Sequence, residues 1–217
     1  DKDLSKIKNL INYAKKNNKP VAILIKNNKF EKVLKPKKIT NNKSEIKRIL
    51  FLENLLHNIG KRDKIISTTG YISRELYQIR LNKKLKKGKD FYMVGGMGHA
   101  SNVALGVSKN LKNKVIILDG DGSLLMHLGS LVNCGAISGK NFKYILLNNY
   151  SHESVGSQKT LIDKVNLKFL SKAIGFEEFL EIKKKNDINK KIKFFLKKKK
   201  KTFLNVEIIE GSIPGLL

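Results

Sequence analysis

Several things are scarce in this 217-residue sequence: it has no tryptophan, one cysteine, three prolines and only 18 acidic residues against 45 lysines and arginines. A single thiol excludes disulfides within the chain and points to a reducing compartment, with Cys134 expected as a core side chain in its apolar LVNCGAI setting. No stretch approaches the roughly 20 apolar residues of a membrane span, and no charged, apolar and cleavage regions follow one another as in a secretory leader. The expected location is the cytoplasm. The first residue is Asp1 rather than Met, so a natural N-terminus is not expected here.

The shortage of acids leaves a formal net charge of +27. Clustered, that excess would indicate nucleic acid or an anionic membrane. The lysines are instead spread through every segment alongside Asn and Ile and avoid the apolar runs, as expected of composition carried on solvated faces. The densest block, Lys197 to Lys201, closes a helix-like segment, where cations suit the helix dipole. A basic RNA-binding module is the alternative from another class, but no aromatic stacking motif supports it. With 41% hydrophobic residues the chain can bury one good core, or one and part of a second.

Leu4, Ile7, Leu10, Ile11 and Ala14 recur at helical spacing and lead through NNKP into VAILIKN, read as a short strand. A polar stretch containing Pro36 then reads as a linker. The expected division is therefore 1–34 for the terminal helix and strand of a preceding domain, 35–43 for the linker and 44–217 for a second domain. From Ser44 onward, helices and apolar strands alternate: KIISTTG, FYMVGG, KVIILDG, KYILLNN, EEFLEI and TFLNVEII, with helices between them, including His99 to Leu111, Leu124 to Ile137 and Asp163 to Ala173. This pattern predicts an α/β fold, a doubly wound parallel sheet covered on both faces. Ligands of such sheets bind at strand carboxyl ends, where TTG, GGMGHAS, DGDGS and NNYSHES all fall.

Strand FYMV followed by Gly96-Met97-Gly98-His99-Ala100-Ser101 approaches a dinucleotide fingerprint. It fails where Ser101 replaces Gly or Ala, and it leaves the paired asparagines unexplained. A diphosphate held through a divalent cation explains both clusters. Magnesium wants six oxygens, some from phosphate and one or two from protein carboxylates or amides. Asp121 offers a charged oxygen, Asn149 a neutral one and Ser151 a backbone carbonyl. Gly120 and Gly122 are expected to supply positive φ and close approach of N–H groups to phosphate at the next helix start.

Gly120-Asp121-Gly122 and, after a gap of 25 residues, Asn148-Asn149 match the signature of thiamine-diphosphate enzymes. The wider text, TTGYISRELY, MVGGMGHASNVALGV, VIILDGDGSLLMHLGSL and NFKYILLNNYSHESVGSQKT, resembles the diphosphate-binding domain of the phosphonopyruvate decarboxylase family, most strongly from Lys64 to Thr160. The resemblance implies that Asp121, Asn149 and the Ser151 carbonyl bind Mg²⁺, with Asn148 the runner-up, and that Gly120, Gly122 and Ser123 line the diphosphate of thiamine diphosphate. It implies a Gly95 carbonyl for the cofactor's amino group, Met97 as the wedge bending the cofactor, and Gly98 in the same loop. His99, opening a helix at the expected crevice, and His152, in the loop after the metal ligands, are the catalytic candidates, with a solvated loop position the alternative for His152. His127 is as well explained by a core or capping role, and His57 by no specific role. Ser73 and Arg74 are candidates for an anionic headgroup, with an Arg74–Glu75 surface pair as the alternative. The family loop expects Gly and Pro where this chain has Ser157 and Lys159.

The implied activity is nonoxidative decarboxylation of phosphonopyruvate to phosphonoacetaldehyde, in phosphonate biosynthesis, by an oligomer. Sulfopyruvate decarboxylase, through its beta-type subunit, is the competing expectation. The catalytic glutamate of the family lies on a pyrimidine-binding domain preceding residue 1. The chain is thus expected to be a piece of a longer protein, or else to need a second subunit, and to be inactive alone.

Overall fold

The computed structural model describes residues 2–26 and 44–216. They fall in two compact units, Asp1–Lys38 and Ile39–Leu217. The first holds helix α1, Lys2–Asn17, with Asp3 in its first turn and Lys15 and Lys16 in its last, charges that complement its dipole. The strand expected at Val21 does not form over Val21–Lys26. A strand needs a neighbour to take its N–H and C=O groups, and this run pairs with no strand among the described residues; Leu24 is 95% exposed. The expected linker, 35–43, with Pro36, lies outside the described residues.

The second unit is built on six strands: β1 Lys64–Ser67, β2 Lys89–Tyr92, β3 Val115–Gly120, β4 Phe142–Asn148, β5 Glu178–Ile182 and β6 Thr202–Glu207. All pair in parallel, in the order β2-β1-β3-β4-β6-β5. Helices α2 (Arg48–Asn58), α3 (Tyr71–Lys83), α4 (Ala100–Lys109), α5 (Asp121–Met126), α6 (Leu128–Ile137), α7 (Leu167–Ala173) and α8 (Ile188–Lys197) connect them. The doubly wound parallel sheet expected from the sequence is therefore present.

Side-chain alternation along the strands builds two cores. Ile116, Leu118, Ile145 and Leu147 face one of them, where α2, α3 and α8 contribute Phe51, Leu55, Leu76 and Phe195. Val115, Ile117, Tyr144 and Leu146 face the other, with Ala104 of α4 and Cys134 of α6. The central strands are apolar throughout because both faces are covered.

Two departures from the expected elements shape the site. The single helix expected over Leu124 to Ile137 is two, α5 and α6, broken at His127 with φ −132° and ψ 47°. The helix expected from Asp163 starts at Leu167, after a turn at Ile162–Lys164, because Asn166 caps it by accepting the Phe169 N–H. Since β2 lies to one side of β1 and β3 to the other, the carboxyl ends of β1 and β3 mark the topological switch point, where a crevice opens.

Candidate cofactor-binding site

At that switch point lies an open cleft lined by Thr68 and Thr69 after β1, Gly120 to Ser123 at the end of β3 and the start of α5, and Asn149, Ser151 and His152 after β4. The glycine-rich loop after β2 is tied to it through Ser123, whose Oγ accepts the Gly98 N–H at 3.0 Å and lies 2.9 Å from Thr68 Oγ1. Asp121 is 2% exposed and stands at the start of α5. Burial pushes its carboxyl up to about 6, against the opposing hydrogen bonds donated by the Thr160 hydroxyl and the Asn149 N–H.

The paired asparagines explain themselves in the turn that follows β4. Asn148 Oδ1 accepts the Tyr150 N–H at 3.1 Å, and Asn149 Oδ1 accepts the Ser151 N–H at 3.1 Å. Two consecutive side-chain turns of this kind hold Tyr150 at φ 61°, a left-handed conformation that costs a bulky residue on the order of 1–3 kcal/mol. Asn149 lines the cleft; Asn148 does not. Ser151 bridges Lys159, with the ladder bonds made by the neighbouring His152 N–H to Gln158 O and Thr160 N–H to Tyr150 O. This register keeps the Ser151 carbonyl outside the ladder. The Asp121 carboxylate, a second lone pair on Asn149 Oδ1 and the Ser151 carbonyl are thus oxygen donors of the kind a hard cation takes.

Gly120 and Gly122 serve differently than expected. Gly120 is extended at φ −110°, Gly122 is helical, and neither takes a positive φ. Space is the reason at Gly122: a Cβ there would sit 2.5 Å from His152 Nδ1 and 3.4 Å from Met97 Cε. The left-handed glycines are in the other loop, Gly95 at φ 76°, Gly96 at 57° and Gly98 at 88°, where a Cβ on Gly98 would meet the His127 ring at 2.7 Å.

His152 lines the cleft with its ring over Gly122. His99 does not line it. The break before α6 brings the exposed His127 beside it, their ring centres 4.1 Å apart, so His99 belongs to a surface pair. Met97 lines both the cleft and a neighbouring cavity, which also holds Arg74, Tyr77, Val94 and Val155. Ser73 is buried, donating to the Thr68 carbonyl at 2.6 Å. Arg74 is exposed and does not pair with Glu75, which is buried against Arg48 at 3.3 Å.

Sequence reasoning missed three groups. Asp119 is buried behind the cleft, accepting from the Tyr144 hydroxyl at 2.7 Å and the Gly120 N–H at 2.9 Å, and burial raises its carboxyl. Arg48 and Glu153 both line the cleft and pair with each other. Asp119 had a visible signal, a carboxylate inside an apolar strand run. Arg48 had none, standing in a helix start far from the motifs.

Comparison with known proteins shows the family and the fold. Residues 69–206 match the family described as thiamine pyrophosphate enzyme, C-terminal TPP binding domain. The chain is 37% identical to a phosphonopyruvate decarboxylase of Streptomyces viridochromogenes over 169 residues, covering 78% of this chain and 41% of that protein. It is 39% identical to the sulfopyruvate decarboxylase subunit beta of Methanocaldococcus jannaschii over 132 residues, 60% of this chain and 68% of that subunit. An X-ray structure assigned to a thiamin diphosphate-dependent enzyme from Mycobacterium smegmatis superposes with a TM-score of 0.60 at 13% identity, covering 76% of this chain and 32% of that one, which is a likeness of fold. The chain thus spans less than half the length of the Streptomyces relative, and the match over residues 69–206 shows its family: it belongs to the thiamine pyrophosphate enzymes, as their C-terminal TPP-binding domain.

Proposed function

We propose that this chain supplies the diphosphate- and Mg²⁺-binding half of a cytoplasmic, oligomeric decarboxylase that converts phosphonopyruvate to phosphonoacetaldehyde, in phosphonate biosynthesis. The observation that carries this reading is that Asp121, Asn149 and Ser151, which have a carboxylate, an amide oxygen and a carbonyl to offer, line one cleft together with Gly120, Gly122 and Ser123. The set fits a cation bridging to a diphosphate: all donors are oxygens, and the first N–H groups of α5 have no acceptor within the helix. In this reading the diphosphate and water would complete the ligand set. Gly95 and Met97 would hold the cofactor's other end, the former by its carbonyl and the latter as an apolar support.

When bound, the thiazolium ring of thiamine diphosphate supplies the electron sink for loss of CO₂ from a 2-oxo acid. In this reading His152, which lies over Gly122, would meet the reacting end of the substrate, and Arg74, which lines the adjoining cavity, its anionic headgroup. His99 is the weaker catalytic candidate, as it lies against His127. The pyrimidine-binding part, with its catalytic glutamate, would come from another domain or subunit, with residues 1–34 the end of such a domain and 35–43 the linker. No helix of the described residues is long and apolar enough to cross a membrane.

A coupled aldehyde assay on the assembled enzyme, comparing phosphonopyruvate, sulfopyruvate and pyruvate, tests the substrate. A phosphonate carries nearly two charges and accepts charge-assisted hydrogen bonds worth about 1.5–3 kcal/mol each before desolvation, so phosphonopyruvate should lead and pyruvate trail. A preference for pyruvate would overturn the reading. Sulfopyruvate is the second reading, favoured by the fuller coverage of the archaeal beta subunit.

A further inference from the structure

The metal-facing amide of Asn149 has a partner that the motif does not contain. Its Nδ2 donates to Glu153 Oε2 at 2.9 Å, while its Oδ1 faces the Ser151 N–H. An amide's two ends are nearly equal in shape, and a neighbouring group must decide which end is oxygen. The Ser151 N–H asks for oxygen at one end and Glu153 for nitrogen at the other: paired with a guanidinium and a backbone N–H, the Glu153 carboxylate has only acceptors to offer. We infer that Glu153 is the positioning residue for Asn149, clamped by Arg48 so that the amide oxygen is turned to the cation.

The clamp is built for rigidity. Arg48 is 4% exposed at the start of α2 and reaches Glu153 with Nη2, Glu75 Oε1 with Nη1 at 3.3 Å and the Gly211 carbonyl with the same nitrogen at 3.3 Å. Glu153 Oε1 accepts the Gly211 N–H, so the segment after β6 closes the far side. Glu75 is fixed in turn by the Ile213 N–H at 3.2 Å. Four parts of the chain, namely the start of α2, α3, the loop after β4 and the tail after β6, thereby hold one carboxylate against one amide. Such outer partners of a metal ligand are typically worth about 10–100-fold in metal affinity. They also explain why position 149 is an amide: a carboxylate there would stand against Glu153 with no proton to share.

This inference rests on the proposed cofactor reading, and Mn²⁺ binding measured by paramagnetic resonance in the presence of thiamine diphosphate tests both. Two variants of the assembled enzyme separate positioning from charge. Glu153→Gln keeps the reach and removes the charge; Glu153→Asp keeps the charge, and the counterion of Arg48, but is one methylene too short for Asn149. Both should weaken Mn²⁺ binding about 10–100-fold. Wild-type Mn²⁺ affinity in Glu153→Asp would overturn the positioning role, since charge alone would then suffice. A normal affinity with depressed kcat in that variant would equally overturn it. Should Glu153→Gln fail to fold, Glu153→Asp alone decides. If the wild-type enzyme binds no Mn²⁺ with thiamine diphosphate, the cofactor reading itself falls.

Discussion

If Asp121 holds the proposed cation, its buried carboxyl should make metal binding pH-dependent in a range where an ordinary aspartate would be silent. Burial holds it up to about 6, and a cation can bind only after displacing the proton. The apparent affinity is divided by 1 + 10^(pKa − pH), which for a pKa near 6 is about 11 at pH 5 and about 1.1 at pH 7, a tenfold loss or about 1.4 kcal/mol. A carboxyl at the usual value of about 3.9 would lose less than roughly a tenth of its affinity over the same span. The sign follows from the raised value: competition by protons begins at higher pH, so affinity falls on acidification. The diphosphate also takes up protons here, so the informative quantity is the ratio of Mn²⁺ affinities between wild type and Asp121→Asn, both with thiamine diphosphate in the assembled enzyme. That ratio should favour wild type at pH 7 and shrink about tenfold by pH 5. Thr160→Val removes a hydroxyl that stabilises the ionised form, and should move the midpoint to higher pH. A ratio that stays constant from pH 5 to pH 8 would refute the argument.

Three further outcomes are expected. Ser157 sits at φ 60°, at a cost of roughly 1–2 kcal/mol for a non-glycine residue; Ser157→Gly should raise stability by about 0.5–1 kcal/mol after the entropy of glycine is deducted, and an unchanged denaturation midpoint would count against that strain. Gly135→Ala would put a Cβ 1.8 Å from the Ile174 carbonyl oxygen, and should cost about 3 kcal/mol or more, at the upper end for overpacking, seen in urea unfolding. Lys143 is buried with its ammonium donating to the Lys198 and Lys200 carbonyls at 2.7 and 2.8 Å, and burial lowers it to about 8. The unfolded chain keeps that proton up to about pH 10.4, so this group should add up to about 3 kcal/mol of stability as pH rises from 8 to 10.4. The Lys143→Met variant should lack that part of the rise, and parallel stability curves for the two proteins would defeat it.

The features legible in the sequence were those whose cause is local. An apolar run covered on both faces reads the same wherever its neighbours come from, and so β3 and β4 and their terminal motifs could be located directly. The GDG and NN clusters act through backbone turns only a few residues long. Glycine was legible as a requirement but not as a reason: at Gly122 the demand is room for the His152 ring, which arrives from another strand end. His99 looked like a crevice residue because it follows the glycine loop, but the break at His127 gives its ring another neighbour. The run after α1 has strand-like composition, yet composition cannot provide the second strand that pairing needs. The Arg48, Glu75, Glu153 and Gly211 network was invisible for the opposite reason to the motifs: its members are 27 to 163 positions apart and share no spacing.

The balance of charge at the proposed metal site bears on how the cofactor is recruited. On that assignment the chain offers a cation a single carboxylate, from Asp121, with an amide oxygen and a carbonyl. One negative charge does not neutralise a divalent ion, and neither the amide nor the carbonyl adds another, so the metal alone should bind weakly. A diphosphate alone would meet the Asp121 carboxylate as a like charge. Bound together, metal and diphosphate each remove the other's difficulty, which makes their binding reciprocal by linkage: whatever factor the cofactor adds to metal affinity, the metal must add to cofactor affinity. A second carboxylate at position 149 would bring more charge to the metal but would oppose both Glu153 and the incoming diphosphate. A neutral amide, held oxygen-first by Glu153, gives the ligand geometry while leaving the diphosphate to complete the charge.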